Sequence, residues 1–237
     1  KYGADINLPS VKGRTALMKA VQRENHTVVD YFLAAGADVN LHDNSGATAI
    51  YIASQKTDLK LASKLITEGA NINVSGPGEE APVHAAVLYS NEDMLNLLIN
   101  HKAKVNIRSN QNYTALHMAA EMGALEKIRI LIGAGASLDA VNSQGSTPLY
   151  TAIAFKQYDA AKLLIKNKAD VNIVGVNEWS PLMYAVYLNN YELAKILLDS
   201  GADVKYSKQD GVNALTVARD SKAPDLIDLL TQTRIAE

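Results

Sequence analysis

Gly36-Ala-Asp-Val-Asn40 is the stretch on which the fold turns, because the chain says it again and again. It recurs as Gly3-Ala-Asp-Ile-Asn7 and Gly69-Ala-Asn-Ile-Asn73, each copy 33 residues from the last. Looser copies keep the same step: Lys102-Ala-Lys-Val-Asn106, Gly135-Ala-Ser-Leu-Asp139, Lys168-Ala-Asp-Val-Asn172 and Gly201-Ala-Asp-Val-Lys205. A strict period of this size predicts a stacked-repeat solenoid, in which each unit covers the apolar face of the next. Such a chain presents a surface, so its target is expected to be a partner and not a reaction.

Working outward from the glycine, a second column begins with Thr15, Thr48, Ala81, Thr114, Thr147, Ser180 and Asn213. Thr, Ser or Asn before an apolar run predicts a helix N-cap, whose side-chain oxygen accepts an orphan backbone N–H. Proline follows it at 82, 148 and 181, a position where no N–H is needed. Alanine then holds one slot in every unit, at 20, 53, 86, 119, 152, 185 and 218, which lets neighbouring helices approach closely. A second helix is marked by Phe32, Leu65, Leu98, Leu131, Leu164, Leu197 and Leu230, with a companion column three residues earlier from Val29 to Ile227. Glycine closes that helix in a left-handed conformation. The polar stretch after it, such as Asn40-Leu-His-Asp-Asn-Ser-Gly46, reads as a projecting hairpin finger.

These units resemble ankyrin repeats. The phrase Thr114-Ala-Leu-His-Met-Ala-Ala120 followed by Gly135 carries the likeness, and Thr147-Pro-Leu149 repeats it. The resemblance spans residues 1–237. It implies an all-α solenoid of antiparallel helix pairs with β-hairpin-like fingers, about seven repeats, and a concave groove that binds proteins, with no shared active site. The chain is read as a single domain. Residues 1–7 are taken as the tail of a truncated upstream repeat, and units start near 8, 41, 74, 107, 140, 173 and 206. The last is expected to act as a C-terminal cap, since it carries Asp220, Lys222, Asp225 and Asp228. Two departures matter. The third finger, Gly76-Pro-Gly-Glu-Glu80, is expected to differ in shape, and Lys127 replaces a buried aliphatic residue and is expected to snorkel its charge to water.

Composition excludes several classes of function. A net charge of −2 gives no overall electrostatic case for nucleic acid. There are no cysteines, hence no disulfide and no thiolate metal site, which fits a reducing, intracellular and cytoplasmic setting. No apolar run approaches the ~18 residues of a membrane span. His84 and His117 occupy a repeat column and have a structural explanation. His26, His42 and His101 lack metal-ligand spacing. Gly133-Ala-Gly135 falls on a helix-ending turn, not a phosphate loop. The chain is therefore read as non-catalytic, with no cofactor, metal or small-molecule substrate.

The informative positions are those the repeat does not dictate: the slot before the Thr column and the end of the first helix. There the chain places Tyr89, Tyr113, Met122, Phe155, Trp179, Tyr184, Tyr187 and Leu188, an aromatic and apolar series in the middle units. Trp, Tyr and Met are what binding hot spots use. This strip is the expected contact for a protein or peptide. The competing account is that its members cover one another. Arg14 and Arg23, with Lys12, Lys19 and Lys56, make the first unit basic and able to steer an acidic segment; a solvated face is the simpler account. The leading reading is an interaction scaffold. The alternatives are a regulatory or targeting domain of a larger enzyme or channel, or a secreted bacterial effector acting inside a host cell.

Overall fold

The computed structural model describes residues 5–236, so Gly3 and Ala4 of the first phrase lie outside the described residues. Seven helix pairs follow one another at the predicted step: α1 (Ala16–Gln22) and α2 (His26–Ala34), α3 (Ala49–Ser54) and α4 (Leu59–Thr67), α5 (Pro82–Tyr89) and α6 (Glu92–Asn100), α7 (Ala115–Met122) and α8 (Leu125–Gly133), α9 (Pro148–Ala154) and α10 (Tyr158–Lys166), α11 (Pro181–Tyr187) and α12 (Tyr191–Asp199), α13 (Ala214–Asp220) and α14 (Pro224–Ala236). They form two compact units. The first runs to Ala115 and takes in Arg129–Ala136; the second holds Leu116–Ile128 and continues from Ser137.

The cap column works as read. Thr15, Thr48, Thr147, Ser180 and Asn213 each accept the N–H three residues on. Where Ala81 has no oxygen to offer, the first turn is tied from the other side. The Ala81 N–H donates to His84 Nδ1 at 2.9 Å, so the histidine replaces half of a capping box. The alanine column is buried throughout, from 5% exposure at Ala20 to 0% at Ala86, Ala119, Ala152, Ala185 and Ala218. The leucine column is equally dry, except that Phe32 in the first pair is half-buried. Lys127 occupies the buried position expected of it. It is only 7% exposed, in a column where Met94 and Leu193 are fully buried, because that position faces into the core and not along a helix edge.

The phrase that sets the period is also what joins one repeat to the next. Asn40 Oδ1 accepts the Asn71 N–H at 2.8 Å, and Asn40 Nδ2 donates to the Gly69 carbonyl at 3.1 Å. Asn172 does the same to Asp203 and Gly201. A single amide thus satisfies a donor and an acceptor at the end of the following helix pair. Asp139 breaks the pattern. It accepts from the Asp170 N–H at 2.9 Å, but an ionised carboxylate cannot donate to the Lys168 carbonyl. Asp139→Asn is therefore expected to raise stability by roughly 0.5–1.5 kcal/mol. A urea midpoint that stays level or falls would refute that account.

The fingers are turns more than ladders. Each closes by an N–H returning to the carbonyl four residues on, as in Asp43 to Ala47 and Asn142 to Ser146, and the only bridges among the described residues are His42–Thr48 and Ser207–Asn213. The third finger does differ in shape, with a 3-10 turn at Pro77–Glu79. The sixth finger shares this shape, with a 3-10 turn at Val176–Glu178. In both, two successive residues are left-handed: Gly78 and Glu79 at φ 65° and 59°, Asn177 and Glu178 at 56° and 62°.

Candidate functional site

A tyrosine explains the two unusual fingers. A Cβ on Gly76 would lie 2.8 Å from Tyr51 Cδ2, and one on Gly175 would lie 2.6–2.7 Å from three atoms of the Tyr150 ring. Each finger therefore lays a bare Cα on the flat of a buried ring, and glycine is the residue that permits it. The two sites then diverge at the next exposed slot. In the first unit the slot is Glu80, whose Oε2 accepts the Tyr51 hydroxyl at 2.9 Å. In the second it is Trp179.

Trp179 is half-buried and sits edge-on to two tyrosines of α11. Its ring centroid is 5.5 Å from Tyr187 at 83° and 5.9 Å from Tyr184 at 80°. Tyr184 lies 6.0 Å from Tyr187 and 5.5 Å from Tyr150. Four rings thus form one cluster, with Tyr150 at its base and Tyr187 at its open end. Burial pushes the Tyr150 hydroxyl pKa up to about 12, so this base stays neutral. Tyr184 was expected beside Trp179. Tyr150 was not among the residues singled out from the sequence, although its place one repeat and one residue before Tyr184 is a usable signal.

The cluster only partly covers itself. Tyr187 keeps 58% of its surface in water, Phe155 51% and Met122 46%, while Leu188 is half-buried. All of these lie in the second unit. Tyr89, 58% exposed, and Tyr113, half-buried, belong to the first. The basic residues fare differently. Arg14 is drawn onto the following finger, with Nε 3.0 Å from Asp43 Oδ2 and a further bond to Gln22, while Lys56 lies 3.5 Å from Glu24. Arg23 is exposed at the end of α1. The steering role foreseen for Arg14 is thus weakened by a partner already in place.

No group of three metal-ligating side chains occurs among the described residues. His84 is fully buried, and desolvation lowers its pKa to about 4 against the pull of the Ile107 and Tyr113 carbonyls. His117 Nε2 is bonded to the Ser146 carbonyl at 3.0 Å. No helix among the described residues is long and apolar enough to cross a membrane.

The family model for ankyrin repeats matches residues 2–76, 56–142, 83–175, 131–208 and 172–236, together nearly the whole chain. The chain belongs to the ankyrin-repeat family. The crystal structure of the ankyrin repeat domain of Bcl-3, described as a unique member of the IkappaB protein family, is similar to it with a TM-score of 0.84 and 26% identity, over 93% of this chain and 99% of that one. No curated protein matches it. Ankyrin repeats are generally protein-interaction scaffolds, and in this ankyrin-repeat chain Met122, Phe155 and Tyr187, at the ends of α7, α9 and α11, are large apolar side chains left exposed.

Proposed function

We propose that the chain is a non-catalytic interaction module that holds a protein or peptide segment along the helix-end surface of its second unit, centred on Trp179 and Tyr187. The observation that carries this is the exposure of the cluster. Helix packing has buried the repeat columns to near zero, yet Tyr187 and Phe155 keep more than half their surface in water. Large rings left in water beside a tryptophan fit a surface awaiting a partner, where aromatic anchors supply most of the binding energy. Tyr89 and Tyr113 offer a further aromatic surface on the first unit. Setting such a module inside a cell agrees with the cysteine-free composition.

The test is a double variant. Trp179→Ala with Tyr187→Ala is expected to raise the dissociation constant of a bound partner at least tenfold, about 1.4 kcal/mol. Circular dichroism should stay unchanged, because neither ring belongs to a buried column. Normal binding by the folded double variant would end the proposal.

A further inference from the structure

The helix-end slot of the second unit reads Glu121, Ala154, Tyr187, Asp220 at the repeat step, with Met122, Phe155, Leu188 and Ser221 beside them. An aromatic middle is thus bracketed by a carboxylate on either side. Glu121 is half-buried, and burial alone raises its pKa, with no cation pulling it down. Asp220 is exposed at the end of α13, which packs on α11. The surface on which the aromatic rings stand open therefore has a carboxylate at each end, that of Asp220 with Arg219 and Lys222 on either side of it in the chain.

Building on the proposed binding role of the aromatic strip, we infer that its occupant is an extended cationic segment, with a lysine or arginine facing Glu121, another facing Asp220, and bulky apolar side chains between them on Trp179 and Tyr187. The argument is charge complementarity. A cation brought to Glu121 meets a carboxylate already partly stripped of water, where the pairing is stronger than at an open surface. Tyr187, 58% exposed, also offers aromatic surface to a cation passing over it. An acidic segment would meet repulsion at Glu121, whose carboxylate has no cation pulling its pKa down.

Geometry sets the spacing. Adjacent packed helices lie about 8–10 Å apart, so the three repeat steps from Glu121 to Asp220 span roughly 24–30 Å. An extended chain advances about 3.3 Å per residue, so the two cations stand roughly seven to nine residues apart.

The experiment uses two pools of synthetic nonapeptides that are degenerate at the seven middle positions, one ending in lysine on both sides and the other in glutamate. Binding is followed by the fluorescence anisotropy of a dye carried on the peptides, a readout that survives replacement of Trp179, the one tryptophan of the chain. The lysine pool is expected to bind at least tenfold more tightly than the glutamate pool. That preference should collapse in the Glu121→Gln, Asp220→Asn variant and weaken as salt rises. Equal binding of both pools, lost on Trp179→Ala with Tyr187→Ala, would leave the aromatic strip standing and overturn the cationic occupant. Binding of neither pool would overturn it as well. So would a concentration-dependent dimer of the protein alone that dissociates on Tyr187→Ala, since the occupant would then be a second copy.

Discussion

Lowering the pH from 7 to 4 is expected to remove about 3 kcal/mol of stability through His84 alone. The imidazole is fully buried with its Nδ1 occupied by the Ala81 N–H, and its folded pKa falls to about 4 from an ordinary 6.5. At pH 7 both folded and unfolded chains carry it neutral, so its titration contributes nothing there. As pH falls below 6.5 the unfolded chain takes up the proton and the folded chain does not, so stability declines until about pH 4. A shift of this size, at about 1.4 kcal/mol per pKa unit, gives the quoted loss. The check is a series of urea midpoints from pH 7 to 4.5, repeated on His84→Met. Methionine already fills this column at positions 18 and 183, so the variant keeps the volume and loses the titration. Its midpoint at pH 7 drops, because the Ala81 N–H loses its acceptor, but its profile between 6.5 and 4 flattens. Parallel profiles for the two proteins would refute the assignment. Asp43 titrates lower. Burial works to raise its pKa, but hydrogen bonds from Ser45, Arg14 and Ala47 prevail and hold it below 3.8. Its contribution is present above that pH and is lost only below it, outside the His84 window.

The second large effect is expected at Gly175. Its φ of −101° is open to any residue, so backbone strain is not the issue. A methyl there would lie 2.6–2.7 Å from three Tyr150 ring atoms, and Tyr150 is only 4% exposed with no free direction in which to retreat. Gly175→Ala is therefore expected to destabilise the protein by about 2–3 kcal/mol, the upper part of the range for overpacking. It also pushes the finger that carries Trp179 away from Tyr184. The same variant should therefore lower partner affinity and shift Trp179 emission even in the fraction that stays folded. The companion replacement Tyr150→Leu removes the obstructing ring, and in that background Gly175→Ala should cost less than 1 kcal/mol. If the cost is unchanged there, the ring is not what requires the glycine.

Much of the fold was legible because a repeat protein asks the same local question many times. A cap residue, a proline, an alanine and a glycine at fixed offsets each answer to one backbone geometry, and seven aligned copies leave little room for another answer. The third finger announced its difference through Gly76-Pro-Gly-Glu-Glu80. Its twin at 175–179 went unread, because valine, asparagine and tryptophan do not look like proline, glycine and glutamate. What the two share is a left-handed pair and a tyrosine beneath, and the tyrosine lies 25 residues away. Arg14 shows the same limit. Its partner Asp43 is 29 residues distant, and nothing in a local window says that the two side chains meet.

Register alone decides which residues occupy the helix-end slots, and Tyr89, Met122, Phe155 and Tyr187 are exposed there. Which rings remain open was another matter. Tyr184 turned partly inward against Tyr150 and Trp179 against Tyr184, while Tyr187 and Phe155 keep more than half their surface in water.

Period, capping and the buried columns were settled by the amino-acid order itself, because each depends on contacts within one unit or on a neighbour that presents the same face every time. The aromatic cluster, the Tyr-under-glycine fingers and the pairing of Arg14 were decided only in three dimensions. Side chains that the repeat leaves unassigned compete for whichever surface comes within a few ångströms, and that depends on rotamers and finger angles that no spacing rule encodes.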